Sequence, residues 1–145
     1  MDKSAIDPDD YLASVPEDRR ATMTALDALI RDAMPGRSRS VWTGKFWGGT
    51  DQTIIGYGDI RQSRPRGPDV EWFAVGLALQ KNHVSLYVNA ADGGQYLAKA
   101  YGPRLGTVKI GSAAVTFGSL DDLDRDVLVE MLARANALTS PDATG

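Results

Sequence analysis

Apolar residues recur at helical spacing near both ends of the chain and at alternate positions through its middle. Met23, Leu26, Ile30 and Ala33, with Leu29 beside them, make one stripe and predict an amphipathic helix. Ser14-Val15-Pro16-Glu17 reads as its start, with Ser14 and Glu17 exchanging side chain–amide hydrogen bonds and Pro16 in the first turn. Pro35-Gly36 ends it. A short turn of helix over Asp7–Ala13 precedes it. Leu123, Val127, Leu128, Met131, Leu132 and Ala135 form a second stripe. Ser119-Leu120-Asp121-Asp122 opens that helix, its acids favoured by the positive end of the helix dipole. Residues 139–145 read as a flexible tail.

Between the stripes the pattern is extended. Ser38–Trp47 and Gln52–Ile60 are rich in β-branched and aromatic residues and flank the turn signal Gly48-Gly49-Thr50-Asp51. Gln62–Pro68 is a loop. Val70–Leu79 and Val84–Val88 are the clearest strands, joined by a tight hairpin about Lys81-Asn82. This pairing sets Leu79 opposite Val84, Leu77 opposite Leu86 and Val75 opposite Val88, and a slip of one residue would expose every aliphatic. Phe73 joins Val75, Leu77 and Leu79 on that face. Trp72, His83, Ser85 and Tyr87 take the other, with the Tyr87 ring across from Gly76. A short helix over Gln95–Tyr101 and strands near Thr107–Ile110 and Ala114–Phe117 follow. The expected fold is α+β. It is a two-layer sandwich: an antiparallel sheet of about five or six strands, with the N- and C-terminal helices packed on its aliphatic face and the other face open or partly covered. One domain spans residues 1–138.

Composition narrows the function. The 145 residues are 43% hydrophobic and 24% charged, as expected of a globular domain. The absence of cysteine excludes a disulfide scaffold, a cysteine-held iron–sulfur cluster and thiol catalysis. The polar start MDKSAIDPDD has no apolar leader core, and no apolar run is long enough for a bilayer. A cytoplasmic protein without a membrane partner is expected. Net charge is −3, distributed as −4 over residues 1–36, +5 over 37–109 and −4 over 110–145. A pI near 5.0 argues against nucleic acid, whereas the basic middle suits a small anion or an acidic partner.

Catalytic motifs are missing. His83 is the sole histidine, begins a strand, and has no spacing that would pair it with a nucleophile. Gly56-Tyr57-Gly58 opens a dinucleotide-like pattern, but Arg61 occupies the place of the third glycine, and there is no phosphate loop. Asp122, Asp124 and Asp126 have the spacing of a calcium loop, but Val127 and Ala133 stand where Gly and Glu are needed. No motif indicates a cofactor or a metal site. The residues from Trp42 to Tyr57 remain, where Trp42, Phe46, Trp47 and Tyr57 are set among Gly44, Gly48, Gly49, Gly56 and Gly58. Aromatics beside residues without side chains leave room for a flat group against backbone. The expected activity is therefore non-catalytic binding of a small or anionic ligand, or of a protein partner, on an aromatic and basic sheet face. Its residues would be Trp42, Tyr57, Trp72 and Tyr87, with Arg39 and Lys45 at the edge. Two other readings stand beside it: the aromatics fill the core, or the face packs on a second copy as a homodimer.

The order of several segments resembles the YdhG-like bacterial family of unknown function. These are Tyr11 to Arg20 (YLASVPEDRR), Ile30-Arg31 with Met34-Pro35, Gly56-Tyr57-Gly58, Lys81 to Tyr87 (KNHVSLY), Leu105-Gly106 and the Ser119–Leu123 helix start. The resemblance extends from about Asp9 to Leu138. Some members of that family are described as frataxin-like, with helices flanking an antiparallel sheet and a proposed role as iron chaperones. The resemblance thus implies the same fold and, as the alternative function, iron binding through acidic helix residues such as Glu17, Asp18, Asp27 and Asp32. It carries no ligand set onto this chain.

Overall fold

A computed structural model of the chain describes residues 2–45, 51–62 and 70–139. Strand β1 (Asp2–Lys3) leads into helices α1 (Pro8–Ser14) and α2 (Glu17–Ala33), then β2 (Arg39–Lys45), β3 (Asp51–Gln62), β4 (Val70–Leu79) and β5 (Val84–Val88). A small hairpin, β6 (Ala91–Asp92) and β7 (Gln95–Tyr96), precedes α3 (Leu97–Tyr101), β8 (Lys109–Ile110), β9 (Ala114–Phe117) and α4 (Arg125–Thr139). The main sheet has seven strands in the order β1-β2-β3-β4-β5-β9-β8, every pair antiparallel. The α+β fold is thus as expected. The sheet exceeds five or six strands because β1 joins one edge through Asp2↔Thr43 and Lys3↔Trp42.

Helix α2 buries Met23, Leu26 and Ile30, and α4 buries Leu128, Met131, Leu132 and Ala135. Both stripes share one core with Ile55, Tyr57, Val75, Leu77, Val84, Leu86 and Val88 of the sheet. The β4–β5 register is Val75↔Val88, Gly76↔Tyr87, Leu77↔Leu86 and Leu79↔Val84, as alternation required. A second buried cluster contains only strand residues: Trp42, Ile54, Trp72, Phe73, Ala78 and Tyr87.

Several local expectations are corrected. Ser14 does not cap α2; its hydroxyl donates back to the Tyr11 carbonyl (2.6 Å) and closes α1, which Asp7 caps by accepting the Asp9 amide (2.8 Å). Pro16 precedes α2, at the capping position, with no side-chain hydrogen bond. Gln95 and Tyr96 form a strand and α3 begins only at Leu97. The Ser119–Asp122 capping box closes a separate 3₁₀ turn over Leu120–Asp122. Leu123 then bridges Gly106, and Asp124 starts α4 by accepting the Val127 amide (3.2 Å). Helix α4 includes Thr139, which had been read into the tail. The turn at Gly48–Thr50, with Phe46 and Trp47, and the loop of residues 63–69 lie outside the described residues.

Phe73 also departs from the expected face. Between the pairs Tyr57↔Val75 and Asp59↔Phe73, Gly58 takes a positive φ of 76° and drops out of the pairing with Ala74; its amide goes to the Ser38 carbonyl on the other side (2.8 Å), and the Ala74 carbonyl accepts the Asn89 amide (2.8 Å). Alternation is lost there. Ala74 packs with the helix-side core and Phe73 with the other cluster.

Candidate functional site

The six residues expected to form one surface are divided between the two faces. Trp42, Trp72 and Tyr87 share a cluster on the face without helices, and all three are buried (2%, 8% and 8% exposed). The exposed part of an aromatic ligand surface is therefore missing from these three. Trp42 packs edge-on to Trp72 (5.7 Å between centroids) and to Phe73 (5.6 Å), while Trp72 and Phe73 stack at 4.6 Å. The glycines do admit flat groups, but the groups are the protein's own rings. A Cβ on Gly56 would lie 2.5 Å from Trp42 Nε1, and one on Gly76 would lie 2.5 Å from Phe73 Cε2. Tyr87 is the cross-strand partner of Gly76, as expected, and the side chains nearest to a Cβ there are Phe73 and Ile54. At the margin of this face Ser85 Oγ donates to Gln80 Oε1 (2.5 Å) and Tyr87 Oη to Gln52 Oε1 (3.4 Å). Lys45 is exposed at the end of β2, opposite Asp51.

Tyr57 and Arg39 lie on the helix side, where they meet a residue that the sequence placed only among acids on a helix. Asp27 is four residues after Met23 and next to Leu26, inside the apolar stripe of α2, so helical periodicity turns its carboxylate into the core. It is 4% exposed. Arg39 and Tyr57 are direct cross-strand partners on β2 and β3, and both reach it. Arg39 Nη1 donates to Asp27 Oδ1 and Oδ2 (3.0 and 2.9 Å), and the Tyr57 hydroxyl donates to Oδ1 (2.7 Å). Arg39 Nη2 holds Asp9 of α1 (2.9 Å). One guanidinium thus ties α1, α2 and β2 together.

The electrostatics follow from burial. The Tyr57 hydroxyl is pushed well above its usual pKa by desolvation, and the neighbouring Asp27 charge adds to this. Burial works to lower the Arg39 pKa, but the hydrogen bond to Asp9 and the charge of Asp27 outweigh it and leave it raised. A buried carboxylate with three such hydrogen bonds has an acceptor role on both oxygens, which makes this cluster a structural clamp first.

Beside the clamp is a cleft of about 500 Å³, lined by Ala28, Arg31, Asp32, Met34, Gly36, Arg37, Arg39 and Tyr57. Arg37 has a partner already: Nη1 donates to Asn136 Oδ1 (2.9 Å) and Thr139 Oγ1 (3.2 Å), and Nη2 to the Thr139 carbonyl (3.2 Å), at the negative end of α4. Burial lowers its pKa, with the Asp59 charge opposing. Gly58 is favoured here by its positive φ, and a Cβ would also displace the Arg37 guanidinium, 2.5 Å away. Arg31 differs from the other two. Its side chain is 57% exposed and stands 3.8 Å from Asp27 Oδ2, too long for a hydrogen bond.

Arg39 and Tyr57 were expected on the face without helices and lie on the helix side, and Arg31 and Arg37, which line the cleft with them, were not among the expected residues. The available signals were the acid within the α2 stripe and the basic residues on either side of Pro35-Gly36. Among the described residues no three or more His, Asp or Glu side chains are grouped as a metal site, and no helix is long and apolar enough to cross a membrane. The alternative of iron handling gains nothing from this arrangement. Comparison with family models, curated proteins and solved structures finds no match to this chain.

Proposed function

We propose that the chain is a non-catalytic binding domain for a small anionic ligand, seated in the cleft beside α2. The supporting observation is the charge of the lining: Arg31, Arg37 and Arg39 against the single carboxylate of Asp32. Arg37 and Arg39 are fixed by internal partners and frame the cleft, while Arg31, 57% exposed and 3.8 Å from Asp27 Oδ2, keeps its guanidinium N–H groups free of a hydrogen-bond acceptor among the described residues. A planar fork of this kind suits a carboxylate or phosphate oxygen pair. The order of segments that resembles the YdhG-like family supports the same domain type without adding a ligand. Calorimetric titration with acetate and with inorganic phosphate at constant ionic strength is the test. Saturable binding that Arg31→Gln weakens at least tenfold is expected. Absence of saturable heat with either anion, or binding indifferent to R31Q, would reject the proposal.

A further inference from the structure

The cleft is not uniformly positive, and its negative elements identify the ligand further. One wall is the C-terminal turn of α2, from Ala28 through Met34. A helix ends with unpaired carbonyls and the negative pole of its dipole. Here Pro35 has no N–H to give the Arg31 carbonyl, so the sequence itself removes that hydrogen bond. Met34 and Arg37 amides take the carbonyls of Ile30 and Met34, one on each side of the gap. Exposed Asp32, which forms no ion pair among the described residues, adds a full negative charge to the same wall. Arg31, the preceding residue of the helix, lines the same cleft.

Two of the three guanidinium groups are already engaged by hydrogen bonds, Arg39 with Asp9 and Asp27 and Arg37 with the end of α4, while Arg31 has only the longer ion pair to Asp27 at 3.8 Å. What faces a ligand is therefore one arginine fork next to one carboxylate and the helix's carbonyl end. A phosphate dianion would gain chiefly from Arg31 and be repelled by Asp32 and the carbonyl end of α2. A molecule with one carboxylate and one ammonium group would satisfy both.

We infer that the ligand is a small zwitterion of the amino-acid type, its carboxylate held by Arg31 and its ammonium by Asp32 and the carbonyl end of α2. This rests on the anion-binding reading above and deepens it. Calorimetry on the full chain compares L-alanine and 5-aminopentanoic acid, which bracket short and long charge separations, with acetate and inorganic phosphate. At least one zwitterion is expected to bind tenfold or more tightly than acetate. Asp32→Asn should abolish that preference without weakening acetate, and Arg31→Gln should weaken both. Both side chains are exposed, so loss of the fold does not confound either variant. Acetate or phosphate binding at least as tightly as both zwitterions overturns this inference alone, as does a preference that survives D32N. If no probe binds, the anion-binding reading falls with it.

Discussion

The two faces of the sheet are both buried, yet they are held by different physics. The helix side is an aliphatic layer between α2, α4 and the strands, and it tolerates one buried carboxylate because Arg39 and Tyr57 satisfy it. The other cluster is mainly aromatic, with Lys3 Nζ 5.7 Å from the Trp42 ring centroid, and its fit depends on shape: Trp42 lies over Gly56 and Phe73 over Gly76. The buried Trp42 Nε1 has no hydrogen-bond partner among the described residues. On the first face a charge is permitted by exact pairing. On the second, large rings are permitted by glycines.

Removing the central acid tests the first half of this contrast most severely. Asp27→Ala leaves Arg39 and Tyr57 without their shared acceptor, and denaturant unfolding should show a loss of about 3–5 kcal/mol. If D27A unfolds at the wild-type midpoint, the carboxylate is not what holds the two side chains.

Adding one methyl group tests the second half. Gly56→Ala drives a Cβ into Trp42 and against Phe73 Cβ, 2.8 Å away, and the expected cost is about 1–3 kcal/mol. Near-ultraviolet circular dichroism should change with it, since Trp42 must shift. Unaltered stability and spectrum would mean that the rings have slack.

The smallest effect should distinguish Tyr57 by pH. Tyr57→Phe removes one hydrogen bond to a charged group, about 1.5 kcal/mol at neutral pH. Because the folded-state pKa of Tyr57 is raised, its protonation linkage favours the fold fully below the unfolded value of about 10 and is lost as pH rises through the folded value. Wild-type stability should therefore decline above about pH 10, and the decline should be shallower in Y57F. Tyr11, also raised by burial, leaves a residual slope. Equal slopes in the two proteins would place the alkaline sensitivity elsewhere.

Local pattern was sufficient wherever one periodicity governed a whole element. The β4 and β5 strands, their register and the apolar stripes of α2 and α4 follow from spacing, because a slipped strand or rotated helix would put aliphatics in water. The same reasoning failed at Phe73, where a positive φ at Gly58, on the neighbouring strand, interrupts the alternation. A residue's face there depends on its partner strand as well as its own.

The candidate site shows the same boundary. The sequence holds the signals, an acid at Asp27 within the apolar spacing of α2 and arginines on either side of the Pro35-Gly36 stop, but by itself it placed Asp27 only among the helix acids. Only the tertiary structure decided which charges cancel. Arg39 meets Asp27 across 12 residues and Asp9 across 30, and Arg37 meets the end of α4 across about 100. Ion pairing acts over a few ångströms of space and is blind to separation along the chain, so which arginine is left for a ligand is set by the packing of the helices on the sheet.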